Sequence, residues 1–389
     1  MSKQQKQIVY FLFSSILLLV GCRSSNQSIK VGLNTELTGE APAVGASCVK
    51  AAKLFVNKIN QDGGVDVGGK KKTIELIVAD NGSKADEAVV VAQRLITQNE
   101  VVAIVGPNIS SCAVPASEIS ENMGCLMISP WSTNRRTTTT NDGTFKKYVF
   151  RACFTELVEI PLLAQFAMSH LHLAKAAVLY DMSSESPNSA AHQFQESFLK
   201  AGGKIVAMET YTSQDRDFSA QLTKIQASHP DILFIPAYYN DVPLIAEQAR
   251  NLGITAQFLG YNSWSTPEII QLDSQHYLDH AYFSNHFSTE SDNPLVKKFI
   301  QSYQSTYGTA PDDIAALTYD TMGLIVESII KAGSLNRTAI ANTMANIEDF
   351  TGVTGTYKFH QGNHDPFKNV IILTIENGKF VYVTTLQPE

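Results

Sequence analysis

Residues 101–133 read VVAIVGPNISSCAVPASEISENMGCLMISPWST, and the first five are apolar at every position. A strand with no polar face must be covered on both sides, so residues 101–105, closed by Gly106-Pro107, predict a buried parallel strand. Ser110 and Ser111 stand where a helix should begin, with Ala113, Ala116 and Ile119 behind them at helical spacing. After Gly124 a second apolar run, residues 125–128, is broken by Pro130 and opens into Ser132-Thr133-Asn134. Two hydroxyl clusters therefore follow the carboxyl ends of successive parallel strands, the edge on which open α/β sheets bind ligands. Free N–H groups at the helix start, and the positive end of its dipole, favour an anion such as a carboxylate. A lone serine there is ordinarily a cap; the second cluster points to a site.

The same alternation organises the rest. Residues 29–33 predict the first strand, 45–60 an amphipathic helix, 73–79 a strand, and 83–98 a helix with Ser83 as its N-cap. The rhythm restarts at Leu157, with helices over 157–170, 187–200, 218–228 and 242–251 alternating with strands over 176–180, 205–211, 232–235 and 258–261. A chain of 389 residues exceeds the size at which one core keeps growing. The predicted fold class is therefore α/β, two lobes on parallel central sheets. Lobe 1 is expected over 29–150 plus 287–353, and lobe 2 over 151–286 plus 354–389, ending in a hairpin turned at Asn377-Gly378. Three crossings between lobes make a hinge, with a cleft at the strand ends of both sheets.

The amino terminus differs in kind. Lys3 and Lys6 precede an apolar segment, 8–20, too short for a comfortable membrane span, and then Gly21-Cys22. This predicts a signal peptide over 1–21 and a polar tether over 22–28. Leu19-Val20-Gly21-Cys22 resembles the lipobox of bacterial lipoproteins, which implies lipid attachment at Cys22. Loss of Lys3 and Lys6 takes the formal charge from -7 to -9, a poor balance for nucleic-acid binding. Cys48, Cys112, Cys125 and Cys153 form no CxxC pair; three disulfide pairings, or four buried thiols, stay open.

Other chemistry finds no support in the motifs. Gly64 and Gly69-Lys70 approach a phosphate loop, but Lys71 occupies the hydroxyl position and a strand follows, so a hairpin-like turn is expected. No GxSxG, GxGxxG or HExxH occurs. His276 and His280 stand four apart with no third ligand in view, and His360 and His364 flank a turn; both pairs are expected on solvated faces. No catalysis, cofactor or metal is expected.

The order of elements, the phrase Gly106-Pro107…Ser110-Ser111…Pro115-Ala116…Leu126-Met127-Ile128-Ser129-Pro130, the run Tyr148-Val149-Phe150-Arg151 and the hairpin tail resemble the extracytoplasmic leucine/isoleucine/valine-binding protein family of ABC importers. The resemblance covers residues 29–383. It implies a type I periplasmic binding protein fold, two Rossmann-like lobes joined by a three-strand hinge, that closes on a small ligand, usually an amino acid. By that resemblance Ser110 binds the α-carboxylate; Ser111 and Ser132, from the same two hydroxyl clusters, are further candidates for the site. Thr133 works with Ser110, Trp131 offers its backbone carbonyl to the ammonium, and Tyr238 closes from the second lobe. Hydroxyl and amide donors suit a carboxylate, and aromatic faces expel water and strengthen both polar ends.

Three departures affect the ligand. Asn262, in Gly260-Tyr261-Asn262-Ser263-Trp264, stands where many relatives carry an acid. Glu185 stands where a tyrosine is common: either the counter-charge for an ammonium has moved there or Glu185 is a solvated loop residue. Val44 replaces a frequent aromatic, and Ser83 and Ile109 replace disulfide cysteines. A zwitterionic amino acid stays favoured over an amide, a carboxylate or an aromatic acid. The expected protein is an exported monomer, lipid-anchored to the bacterial cell membrane and facing the periplasm or exterior. Its expected partner is an ABC permease, with a membrane signalling partner as the alternative.

Overall fold

The computed structural model describes residues 28–359 and 362–388; the expected signal peptide, Cys22 and His360 lie outside them. The chain begins with β1 (Ile29–Thr35), α1 (Pro42–Gln61), a small hairpin β2–β3 (Val65–Val67, Lys70–Lys72) and β4 (Ile74–Asp80). It continues through α2 (Ala85–Thr97), β5 (Ala103–Val105), α3 (Ser110–Asn122), β6 (Leu126–Ser129) and β7 (Val149–Arg151). These strands form one sheet in the order β4-β1-β5-β6-β7, every pair parallel. All of β5 and β6 is buried, as unbroken apolar runs require, and each fully covered Val, Ile or Leu contributes roughly 1.5–3 kcal/mol.

A second alternation follows: α4 (Glu156–Ser169), β8 (Lys175–Asp181), α5 (Glu185–Lys200), β9 (Lys204–Tyr211), α6 (Ser219–Ala227), β10 (Ile232–Phe234), α7 (Val242–Asn251), β11 (Gln257–Gly260), α8 (Glu268–Leu272) and β12 (Tyr282–Asn285). The chain then returns to the first lobe as α9 (Pro294–Tyr307), α10 (Asp313–Ala332) and α11 (Arg337–Met344), packed on α1 and the first sheet. Asp312 caps α10 by accepting from Ala315 N at 2.7 Å, and Gly333, at φ +58°, ends it. After the hairpin β13–β14 (Phe350–Gly352, Gly355–Tyr357), the tail strands β15 (Val370–Glu376) and β16 (Lys379–Leu386) complete the second sheet. Its order is β16-β15-β12-β11-β10-β8-β9, with β15 and β16 antiparallel. Asn377 and Gly378 both have positive φ, as a two-residue hairpin turn of this kind needs.

Several local expectations change. Helix α1 begins at Pro42 rather than Gly45, because proline is preset for the first helical turn. Ser83 is no cap: at φ +58° its Oγ donates to Thr38 O and accepts from Ala41 N, tying a loop instead. The hairpin β13–β14 stays with the first lobe, where Asp320 of α10 accepts from Val353 N and Thr354 N at 2.6 and 2.8 Å. The expected limit at 353 therefore cuts through this hairpin. His364 is buried, stacked on Phe150 at 3.9 Å, not exposed. His276 and His280 are exposed as expected, each at positive φ and outside any helix.

Candidate functional site

In the first sheet the winding reverses between β1 and β5; in the second it reverses between β8 and β10. Loops part at such switch points and leave a crevice. The two crevices face each other across a small cavity. Asn108, Ile109, Ser110, Trp131 and Thr133 line it from one lobe, and Ser186, Tyr238, Tyr261, Asn262 and Ser263 from the other.

The first wall is built from the end of β5. Gly106 turns at φ +82°, where a Cβ would lie 2.2 Å from Asn34 O, so only glycine fits. The turn aims Asn108 N and Ile109 N at the buried Glu36 carboxylate, at 3.0 and 3.3 Å, and Asn108 Nδ2 adds a 2.8 Å bond. Burial pushes the Glu36 carboxyl up despite those donors. Ser110 opens α3, whose first N–H groups have no partner within the helix. Its Oγ lies 2.9 Å from Ser132 Oγ, which meets Thr137 Oγ1 at 2.7 Å. The wholly buried Arg151 holds the loop behind, donating to Ser132 O at 2.5 Å and Asn134 O at 2.8 Å. The wall thus presents fixed hydroxyl and amide donors, the chemistry of carboxylate recognition.

Aromatic rings bridge the gap. Tyr238, just beyond β10, lies 6.5 Å from Trp131 between ring centroids, inclined by 33°. The Trp131 indole N–H donates to Asp313 Oδ2 at 3.1 Å, which anchors the ring from the first lobe. Burial, with Asp312 alongside, pushes the Asp313 carboxyl up to about 7. In the opposite wall Asn262 N donates to Glu159 Oε1 at 2.9 Å, and Ser284 Oγ donates to the same oxygen at 2.6 Å. Burial pushes the Glu159 carboxyl up to about 8, with those two bonds opposing the rise. Gly260 lets Trp264 pack beneath this turn; a Cβ there would sit 2.2 Å from the indole. The lobes touch at the rim through Ala43 N to Tyr239 Oη at 3.3 Å and Ser184 Oγ to Glu40 Oε1 at 3.1 Å.

Of the residues singled out from sequence, the fold brings Ser110, Trp131, Thr133, Tyr238 and Asn262 together on the cavity. Ser132 stands behind Ser110, and Ser111 is half-buried off the lining. Glu185 begins α5 at the rim, its side chain 38% exposed and 3.4 Å from Arg136. Sequence reasoning missed Asn108, Ile109, Ser186, Tyr261 and Ser263. Tyr261 and Ser263 flank Asn262, and Ser186 follows Glu185, so proximity in sequence was their signal. Glu159 was also missed; an acid amid apolar residues Leu157, Val158, Ile160 and Leu162 was its signal. Among the described residues Cys48, Cys112, Cys125 and Cys153 are buried free thiols. No cluster among those residues suits a metal, and no helix is long and apolar enough to cross a membrane.

The profile of a family described as periplasmic binding protein matches residues 28–379. An amino acid binding protein of Pseudomonas aeruginosa is 29% identical over 62% of this chain and 62% of its own length. Among solved structures, the branched-chain amino acid transporter substrate binding protein LivJ of Streptococcus pneumoniae, in complex with isoleucine, superposes with a TM-score of 0.86. It is 32% identical over 93% of this chain and 100% of its own. The leucine binding protein LivK of Thermotoga maritima gives a TM-score of 0.86 at 28% identity, covering 92% of this chain and 99% of its own.

Proposed function

The chain belongs to the periplasmic binding protein family, and from that premise we propose that it is an extracytoplasmic solute-binding protein capturing a small α-amino acid for an ABC permease. The observation that carries this is the opposition of two walls across one cavity: Ser110, Thr133 and the start of α3 on one side, Tyr238 and Asn262 on the other. Donors on the first wall suit an α-carboxylate, the Trp131–Tyr238 pair excludes water, and Asn262 offers an amide to the ammonium. Closed and open forms would present different surfaces to a permease, which couples ligand to transport. The amino acid and isoleucine binders among its relatives support the same ligand class.

Calorimetry against the twenty amino acids tests the function directly. At least one is expected to bind, with no turnover of it; failure of all twenty would sink the proposal. The lipid anchor is part of it: labelled fatty acid is expected on the chain in cells, and Cys22→Ala is expected to release the protein from the membrane fraction. An unlabelled, soluble wild type would remove the anchor and leave ligand binding standing.

A further inference from the structure

The second wall carries an amide where a counter-charge for an ammonium is expected, and Glu185 does not supply one. It lies at the rim, half-buried and already paired with the exposed Arg136, where solvent screens it. A wholly buried acid stands behind the wall instead. Glu159 touches Asn262 twice. The backbone N–H donates to Oε1, and against an ionised Glu159 the side-chain amide satisfies its surroundings in one orientation only, with Nδ2 3.2 Å from each carboxylate oxygen. With Ser284 Oγ as well, the groups bonded to Glu159 are all donors.

An amide whose nitrogen is committed to a carboxylate has only its oxygen left for the cavity. Hydrogen bonds in series polarise one another, so once Glu159 is ionised, the form that a bound ammonium favours, its charge strengthens Asn262 Oδ1 as an acceptor. Resting on the function proposed above, we infer that Glu159 is a positioning residue: it locks Asn262 with Oδ1 toward the ligand, and so selects a ligand that donates there, an α-ammonium, over one that accepts. The carboxylate acts through the amide and does not touch the ligand. A 2-oxo acid of the same side chain, which offers only an acceptor at that atom, is disfavoured by the same geometry, because two oxygens would face each other.

The test uses the wild-type protein's tightest-binding amino acid and the 2-oxo acid with its side chain, titrated calorimetrically into wild type, Glu159→Gln and Glu159→Gln/Asn262→Asp. Wild type is expected to prefer the amino acid. Glu159→Gln frees the Asn262 amide to turn, so it should lose about tenfold or more for the amino acid while holding or gaining affinity for the 2-oxo acid. The double variant puts the charge at position 262, with the amide introduced at position 159 donating to it. It should recover the amino acid to within about threefold of wild type, a rescue that a merely structural role would not produce. If Glu159→Gln does not fold, the double variant decides alone: folded but unable to bind the amino acid, it overturns the inference. Glu159→Gln binding both probes as wild type does also overturns it while leaving the proposed function intact. A wild type that binds no amino acid removes both.

Discussion

The hinge and the cleft bury charge in opposite ways. At the hinge, Arg151 Nε meets Asp365 at 2.6 Å, and Lys368 meets Asp320 through shared bonds to the Thr354 and Tyr357 hydroxyls. Each cation there has an acid near it, so the chain satisfies its own charge. Around the cleft, Glu36, Glu156, Glu159 and Asp313 are buried against hydroxyls and amides, and none forms an ion pair among the described residues. Their carboxyls are all pushed up by burial, those of Glu156 and Asp313 to about 7 and that of Glu159 to about 8. A hinge neutralised from within can bend without seeking a partner. A cleft left short of cations is poised to receive one.

The largest expected effect tests the hinge. Arg151→Ala takes the guanidinium away from Asp365 and three loop carbonyls, and should cost about 3–5 kcal/mol in urea denaturation. A loss under about 1 kcal/mol would mean the hinge charges are not mutually satisfied.

The next tests the cleft through pH. Below the unfolded carboxyl values of 3.8 and 4.5, Glu156, Glu159 and Asp313 are protonated in both states and burial carries no ionic cost. As pH rises through their folded values of about 7 to 8, the folded chain must hold charges that its surroundings disfavour, while the unfolded chain ionised long before. Ligand-free protein should therefore lose stability between pH 5 and pH 8, by several kcal/mol. Thermal melts at the two pH values check it. Equal or higher stability at pH 8 would break the contrast with the hinge.

Cleft geometry should matter to affinity rather than folding. Tyr238→Ala and Ser110→Ala should each weaken binding of the preferred amino acid by about 1–3 kcal/mol, from lost ring contact or a lost bond to charge. Calorimetry on folded variants reads this directly, and unchanged affinity in both would move the pocket elsewhere. The smallest effect belongs to the rim. Glu185→Gln removes an exposed pair with Arg136 and should change affinity by less than about 0.5 kcal/mol. A tenfold loss there would return the counter-charge to Glu185 and blur the line between cleft and rim.

Much of the fold was legible in sequence because each element carries its own periodicity. The apolar runs of β5 and β6 could be nothing but covered strands, and the restart at Leu157 announced a second sheet. Departures arose where a contact distant in sequence overrode a local cue. Ser83 looks like a cap but ties the 38–41 loop, and β13–β14 looks like part of the tail but is claimed by Asp320 of α10.

What sequence alone determined is the placing of Ser110, Thr133 and Tyr238 at strand ends, because alternation dictates where each strand stops and parallel sheets put those ends on one edge. Only the tertiary structure decided which acid serves the cavity wall. Glu185 and Glu159 are the same residue type, one at a solvated rim and one sealed behind Asn262. A charge takes its strength from the dielectric and donors around it, and those are assembled from residues as far apart as 159, 262 and 284.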